Sequence, residues 1–181
     1  MTNNELTKLQ YPIGQYVGPI TFSPTIIDGY IDIISDFPHH LRKETGHLSD
    51  SQLDTEYRPQ GWTIRQLVHH CADSHLNAYT RFKLALTEEK PTIKPYREDK
   101  WAELIDGKSL PIAYSLSLLE SLHFRWITLL KALTVEELKR TFIHPENGKE
   151  ITLEENIGIY AWHCEHHLAH IIKLKERMNW K

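Results

Sequence analysis

Several features that mark particular protein classes are scarce in this sequence. Only two of its 181 residues are cysteine, too few for the disulfide framework of a small secreted protein. The formal net charge of −3 provides no basic footprint for nucleic acid. No run of about 18 apolar residues is long enough to span a bilayer, and the first residues lack the pattern of a secretory signal. We therefore expect a cytoplasmic protein without nucleic-acid or membrane partners.

The length and composition are those of one ordinary globular domain. Hydrophobic residues make up 40% of the chain and charged residues 25%, which is usual for soluble proteins. A chain of 181 residues can bury a substantial core, so we expect a single domain over residues 1–181. The content of histidine is unusual, because the chain has twelve.

Four long segments carry apolar residues at helical spacing. They begin after Ser23, Thr63, Pro111 and Thr152, and the last ends near Met178. Ser23 precedes a proline, and Thr63 and Thr152 open capping-box patterns, so each is expected to cap a helix. Pro38 lies inside the first segment and is expected to kink or restart that helix.

The remaining sequence predicts shorter elements. Capping patterns at Ser49 and Thr134 predict short helices, and another is expected around Trp101. The segment 146–148 has a turn pattern that can close a small β-hairpin before the last helix. Residues 1–23 are expected to form an extended N-terminal arm. Together these features predict an all-α fold, a four-helix bundle with short extra helices and a small hairpin.

The last helix carries four histidines within eight positions. Residues four apart lie on the same face of a helix, so His163 and His167 can direct two imidazoles at one point. His166 and His170 form a second pair with the same spacing. A helical wheel places the first pair on the flank of the buried face and His166 on the opposite, solvated side. The pattern therefore favours His163 and His167 as two ligands of a metal ion.

A third ligand has to come from another segment, and the second helix offers His69, His70 and His75. The wheel places His75 on the apolar face, whereas the other two lie away from its centre on different sides. Periodicity weakly favours His75 and does not choose among the three. His123 on the third helix can face either the core or the site.

Two segments resemble the signatures of DinB-like proteins. Trp62–His75 is similar to the first signature, a capped helix with a histidine before an apolar-Ala-Asp step. Trp162–His170 is similar to the second, a His-x-x-x-His pattern on the last helix. Residues 11–14, 51–54 and 81–83 are similar to the YfiT-type branch of bacterial metal-dependent hydrolases.

This resemblance implies a bundle with a metal site at one end, where His70, His163 and His167 hold one ion per subunit. It also implies zinc or nickel as the metal and a homodimer as the assembly. Cys71 and Cys164 directly follow two of these histidines. Adjacent helical residues diverge by about 100°, so we expect both thiols to pack in the core rather than to bind the ion.

Three neutral imidazoles leave the ion its double charge and at least one open position, as in catalytic sites. A water in that position can have its pKa lowered to about 7, which predicts metal-dependent hydrolysis of a small molecule. Asp73, Tyr160 and His170 are the candidates for a general acid or base. Asp73 can alternatively orient an imidazole.

Two other functions use the same metal site. Related bundles transfer low-molecular-weight thiols such as bacillithiol, and an open metal position can bind a thiol as thiolate. A basic pocket would favour this S-transferase function, with Arg65, Arg81, Lys83 and Arg125 as contributors. The third hypothesis is a metal-binding stress protein without catalysis.

Overall fold

The structure is a computed structural model that describes residues 3–146 and 148–180. Four long helices form the bundle: α2 (Pro24–Thr45), α4 (Ile64–Thr87), α7 (Ala113–Leu130) and α9 (Leu153–Met178). The five short helices are α1 (Asn3–Gln10), α3 (Asp50–Leu53), α5 (Glu98–Trp101), α6 (Ile105–Ser109) and α8 (Val135–Leu138). The strands β1 (Thr141–His144) and β2 (Lys149–Thr152) pair directly before α9. The predicted all-α four-helix bundle with a small hairpin is confirmed.

Local capping chemistry explains where the long helices begin. Ser23 Oγ accepts a hydrogen bond from the Ile26 amide at 3.3 Å, with proline at the first helical position of α2. Thr63 and Gln66 form a reciprocal capping box at the start of α4. Thr152 Oγ1 accepts from the Glu155 amide at 3.1 Å at the start of α9. Each side chain satisfies an amide that the first helical turn leaves without a partner.

The long helices pack in a square with α2 and α4 on one diagonal. Both α2 and α4 pack against α7 and α9, so helices that follow each other in sequence do not all lie side by side. The faces that meet carry large apolar side chains, and Trp126, Phe37 and Phe82 are fully buried between them. This arrangement directs one face of every long helix toward a shared core.

The hairpin lies against one end of the bundle. β1 and β2 are antiparallel, with Phe142 opposite Ile151. The Ile143 amide donates to the Pro91 carbonyl at 2.9 Å, which ties β1 to the segment after α4. The predicted turn at 146–148 connects the two strands. Gly148 in this turn has a left-handed φ of 64°, and Asn147 lies outside the described residues.

One expectation about the first part of the chain is wrong, and another is decided in part. The arm is not extended throughout, because α1 forms a helix over Asn3–Gln10. Of the two expected effects of Pro38, a restart of the helix is wrong, because α2 continues to Thr45 with the proline buried inside it. In the described part of the chain, no helix is long and apolar enough to cross a membrane.

Candidate metal centre

His70, His163 and His167 come together where α4 faces α9. One ring nitrogen from each lies within 4.8 Å of the other two. His163 and His167 are one helical turn apart, which places their Nε2 atoms 3.2 Å from each other. In a tetrahedral site with metal–nitrogen distances of about 2.0–2.1 Å, ligand nitrogens are roughly 3.3 Å apart. The donor set and this spacing therefore fit a divalent ion such as zinc.

All three imidazoles are held in the neutral form that metal binding requires. Burial, with a smaller contribution from His166, lowers the pKa of His70 to about 4. Burial lowers the pKa values of His163 and His167 well below the usual value for histidine, and neighbouring histidines add to the effect. Each ring therefore has one nitrogen with a free lone pair at neutral pH.

The three rings line a cavity of about 430 Å³. Its other lining residues are aromatic, aliphatic and polar side chains from α4, α9, the hairpin and the loops beside them: Trp62, Ser74, Arg81, Glu98, Phe142, His144, Ile151, Asn156, Ile159, Tyr160, Trp162 and His166. Buried atoms of His144, Asn156, His166 and His167 have no hydrogen-bond partner among the described residues. Unsatisfied polar atoms around a cavity are typical of a site that receives a polar ligand or water.

Two hydroxyl groups lie beside the histidines. Ser74 Oγ is 3.4 Å from His163 Nε2 and 3.4 Å from Tyr160 Oη. Tyr160 donates a hydrogen bond to the Ser74 carbonyl at 3.2 Å, and burial raises its pKa. The phenol therefore stays protonated and can donate. Sequence reasoning selected Tyr160 but missed Ser74, because a serine one turn after His70 has no distinguishing pattern.

The other two candidate catalytic residues, Asp73 and His170, make no described hydrogen bond to His70, His163 or His167. No described hydrogen bond joins the Asp73 carboxylate to a histidine ring, so the proposed orienting contact is not present. Burial, and secondly Asp106, raises the pKa of Asp73 to about 6. His170 Nε2 lies 3.1 Å from His166 Nε2, and the His170 ring lies tilted against the ring of Tyr57 at 4.2 Å between centroids.

The expectation that His166 is solvated is wrong. This residue is buried, with 8% of its surface exposed. Its ring stacks on Trp162 at 4.4 Å between centroids and lies 6.1 Å from the ring of Tyr11. The N-terminal arm thus contributes to covering the side of α9 that a helical wheel assigns to water.

His75 and His123 lie behind the three histidines, away from the cavity. His75 Nε2 is 3.1 Å from His163 Nδ1, and His75 Nδ1 is 2.7 Å from His123 Nε2. The wheel correctly placed His75 on the inward face, but its ring meets His163 on the side opposite the cavity nitrogen. Helical periodicity did not decide whether His123 faces the core or the site, and the structure places it in the core next to His75.

Of the four basic residues considered for thiol binding, Arg81 lines the cavity. Arg65 is instead buried in a contact with two carboxylates of the α3 region. Lys83 and Arg125 both lie over the ring of Tyr79. Of the basic side chains that would favour binding of a thiol substrate, Arg81 is therefore the one that the described cavity lining contains.

The two cysteines pack in the core as expected. Cys71 and Cys164 are buried free thiols, and burial raises both pKa values. A thiol held protonated in this way behaves as a small apolar side chain. Neither belongs to the group of potential ligands found among the described residues.

Comparison with known proteins identifies the family. Residues 35–171 match the family model of the DinB superfamily. The chain belongs to the DinB superfamily. This match includes all of α4 and residues 153–171 of α9, and therefore all three histidines.

Relatives within this superfamily cover nearly the whole chain. A protein of Bacillus cereus (strain G9842), named "Putative metal-dependent hydrolase", is 54% identical over 175 residues, which are 97% of this chain and 100% of that protein. A protein of the same name from Bacillus anthracis (strain CDC 684) has the same identity and coverage.

A solved structure has the same fold. YfiT from Bacillus subtilis, described as "a probable metal-dependent hydrolase with an unusual four-helix bundle topology", superposes with a TM-score of 0.94 at 49% identity. The superposition covers 96% of this chain and 99% of YfiT. The arrangement of the four long helices described above is therefore the same as in YfiT.

Proposed function

We propose that this protein is a metal-dependent hydrolase of a small polar molecule, with one divalent ion held by His70, His163 and His167. The observation that carries the proposal is the convergence of three neutral imidazoles within 4.8 Å at the wall of a cavity. The names given to the Bacillus relatives and to YfiT support the same activity.

The ligand set favours catalysis over a purely structural role. His70, His163 and His167 would hold the ion through three neutral imidazoles, and an ion held in this way would supply activation of water and polarisation of a substrate carbonyl. Ser74 supplies a hydroxyl group 3.4 Å from His163 Nε2, which would orient the attacking water or stabilise negative charge that develops on the substrate. The Tyr160 hydroxyl donates its proton to the Ser74 carbonyl and so helps to hold this serine in place.

The cavity lining indicates a polar substrate of modest size. Arg81 and Glu98 supply opposite charges on the wall, and the unpartnered atoms of His144 and Asn156 offer further hydrogen bonds. Trp62 and Trp162 give the cavity aromatic walls. We infer a substrate that has both a polar group for these contacts and a flat or apolar portion.

The identity of the metal and the assembly remain predictions. Imidazole ligands suit both zinc and nickel, and we propose zinc with nickel as the alternative. A homodimer is expected from the family, and the exposed apolar side chains of Tyr114, Leu118 and Phe124 on α7 offer surface for one. Light scattering of the purified protein tests this assembly.

The test of activity is a parallel substrate screen. Zinc-loaded protein is assayed on simple esters and amides and, in a second arm, on bacillithiol with an electrophile. Turnover in the first arm that is lost in His163→Ala supports hydrolysis. Turnover in the second arm alone would replace hydrolysis with thiol transfer, and a bound ion without turnover in either arm would favour a non-catalytic metal-binding protein.

A further inference from the structure

A chain of hydrogen bonds runs from the backbone of α2 to the candidate ligand His163. The Ile34 carbonyl is 2.7 Å from His123 Nδ1. His123 Nε2 is 2.7 Å from His75 Nδ1, and His75 Nε2 is 3.1 Å from His163 Nδ1. Because these four residues lie on α2, α7, α4 and α9, the chain joins all four long helices.

The chain begins at a carbonyl that the helix leaves free. In a regular helix the Ile34 carbonyl would accept from the amide of residue 38, four positions later. That residue is Pro38, which has no N–H and pushes the carbonyl away from the helix axis. His123 supplies the missing donor from α7. The proline inside α2 thus creates the acceptor on which the chain depends.

This acceptor fixes the direction of every bond in the chain. A carbonyl oxygen only accepts, so His123 must carry its proton on Nδ1. A neutral imidazole has one proton, so His123 Nε2 accepts from His75 Nδ1–H. By the same reasoning His75 Nε2 accepts from His163 Nδ1–H. The remaining nitrogen of His163, Nε2, then holds a lone pair that faces the cavity.

We propose that His75 and His123 are positioning residues, which hold His163 in the tautomer and orientation that present its Nε2 lone pair to the metal ion. This inference rests on the proposed metal site. A metal-bound histidine usually donates its other ring N–H to a fixed acceptor, and that acceptor sets the tautomer. Here the acceptor is itself a histidine, and it is oriented by a second one.

The surroundings restrict these rings to one arrangement. His75 is fully buried and His123 is 2% exposed. The ring of His75 lies 5.2 Å from that of Phe37 and 5.8 Å from that of Trp126 between centroids. The fully buried ring of His75 cannot turn to water to satisfy a nitrogen that loses its partner, so breaking its bond to His123 also disturbs its bond to His163.

The first test measures the tautomers directly in the metal-free, ¹⁵N-labelled protein. Long-range ¹H–¹⁵N correlation spectra distinguish protonated from unprotonated ring nitrogens. We expect His123, His75 and His163 each to carry the proton on Nδ1 alone. A proton on Nε2 of any of the three would overturn the proposal. This measurement uses the metal-free wild-type protein, so it tests the proposed tautomers even if a variant fails to fold.

The second test measures zinc affinity by competition with a chromophoric chelator. His75→Leu removes the acceptor of His163, and His123→Leu leaves His75 Nδ1 without its acceptor. Loss of a contact behind a ligand typically weakens metal binding by roughly 10–100-fold, and we expect both variants to fall in that range. His69→Leu is the matched control, since His69 is also buried on α4 but bonds Ser115 and Leu110.

The outcomes separate this inference from the proposed function. Equal zinc affinity in His75→Leu, His123→Leu and the control would overturn the role of the chain while leaving the metal site in place. Wild-type protein that binds no divalent metal would instead refute the proposed function, and the tautomer spectra would still test the hydrogen-bond chain. Thermal unfolding of each variant checks that the comparison is made on folded protein.

Discussion

Removal of the metal should lower the thermal stability of this protein by a predictable amount. The proposed ion joins His70 on α4 to His163 and His167 on α9, so it binds the folded chain and not the unfolded one. At a free concentration of about 100 times Kd, such a ligand adds about 2.7 kcal/mol to the free energy of unfolding. For a chain of 181 residues, 1 kcal/mol shifts Tm by about 2–4 °C. The expected difference between zinc-loaded and metal-free protein is therefore about 5–10 °C.

Differential scanning calorimetry at fixed free zinc measures this difference. The matched control is His167→Ala, which lacks one proposed ligand and should show no comparable shift on zinc addition. An unchanged Tm in wild-type protein under saturating zinc would mean that no ion joins α4 to α9 in the folded protein. An equal shift in His167→Ala would show that zinc acts at another place on the molecule.

Three further substitutions test the role of Pro38, the ion pairs of Arg65 and the partly buried carboxylate of Asp73. Pro38→Ala restores an amide that competes with His123 for the Ile34 carbonyl, so zinc affinity should fall in a chelator titration. Its metal-free unfolding free energy should not fall, because proline inside a helix costs about 3 kcal/mol relative to alanine. Arg65→Met removes hydrogen bonds of 2.6 and 2.7 Å to Asp54 and Asp50, and should cost about 1–2 kcal/mol in urea denaturation without loss of bound metal. Asp73→Asn should stabilise the protein by about 1 kcal/mol above pH 6, after allowance for partial solvent screening. The pKa of Asp73 in the folded protein is raised to about 6 from 3.8, so the free energy that its ionised carboxylate costs the folded state grows between pH 4 and 6. Below pH 4 the carboxyl group is protonated in both states, and the stability advantage of asparagine should vanish. Urea denaturation at several pH values measures this dependence.

The helices could be predicted because their signals are local. A capping side chain and the spacing of apolar residues lie within one segment, so Ser23, Thr63 and Thr152 identified the starts of three long helices. Local signals left open whether the helix continues through Pro38 or restarts there. The lost helical bond is compensated by His123, which lies 89 positions from its acceptor Ile34.

The candidate site could be predicted only in part. Spacing offered two histidine pairs on the last helix, and the helical wheel selected His163 and His167 because they flank its buried face. Whether His69, His70 or His75 reaches His163 and His167 depends on its height along α4 relative to α9. Helical periodicity gives the angle of a side chain around its own helix axis and does not give its height relative to a neighbouring helix. The resemblance to DinB-like proteins supplied His70, and the structure brings it to the other two.

The burial of His166 shows a second limit of helical periodicity. A wheel divides a helix into one core face and one solvent face. Here Trp162 on the same helix and Tyr11 on the N-terminal arm pack near the ring of His166. Contacts with a distant irregular segment leave no periodic pattern, so the sequence of α9 could not indicate them.

Elemental analysis of purified protein is the most direct test of whether His70, His163 and His167 hold one divalent ion. We expect about one ion per chain in the wild type and a large loss in each of the three alanine variants. His166→Ala is the matched control, because it removes a buried histidine from the same helix and the same cavity wall, and it should retain nearly all of the metal. Full metal content in His70→Ala, or equal loss in His166→Ala, would contradict the assignment.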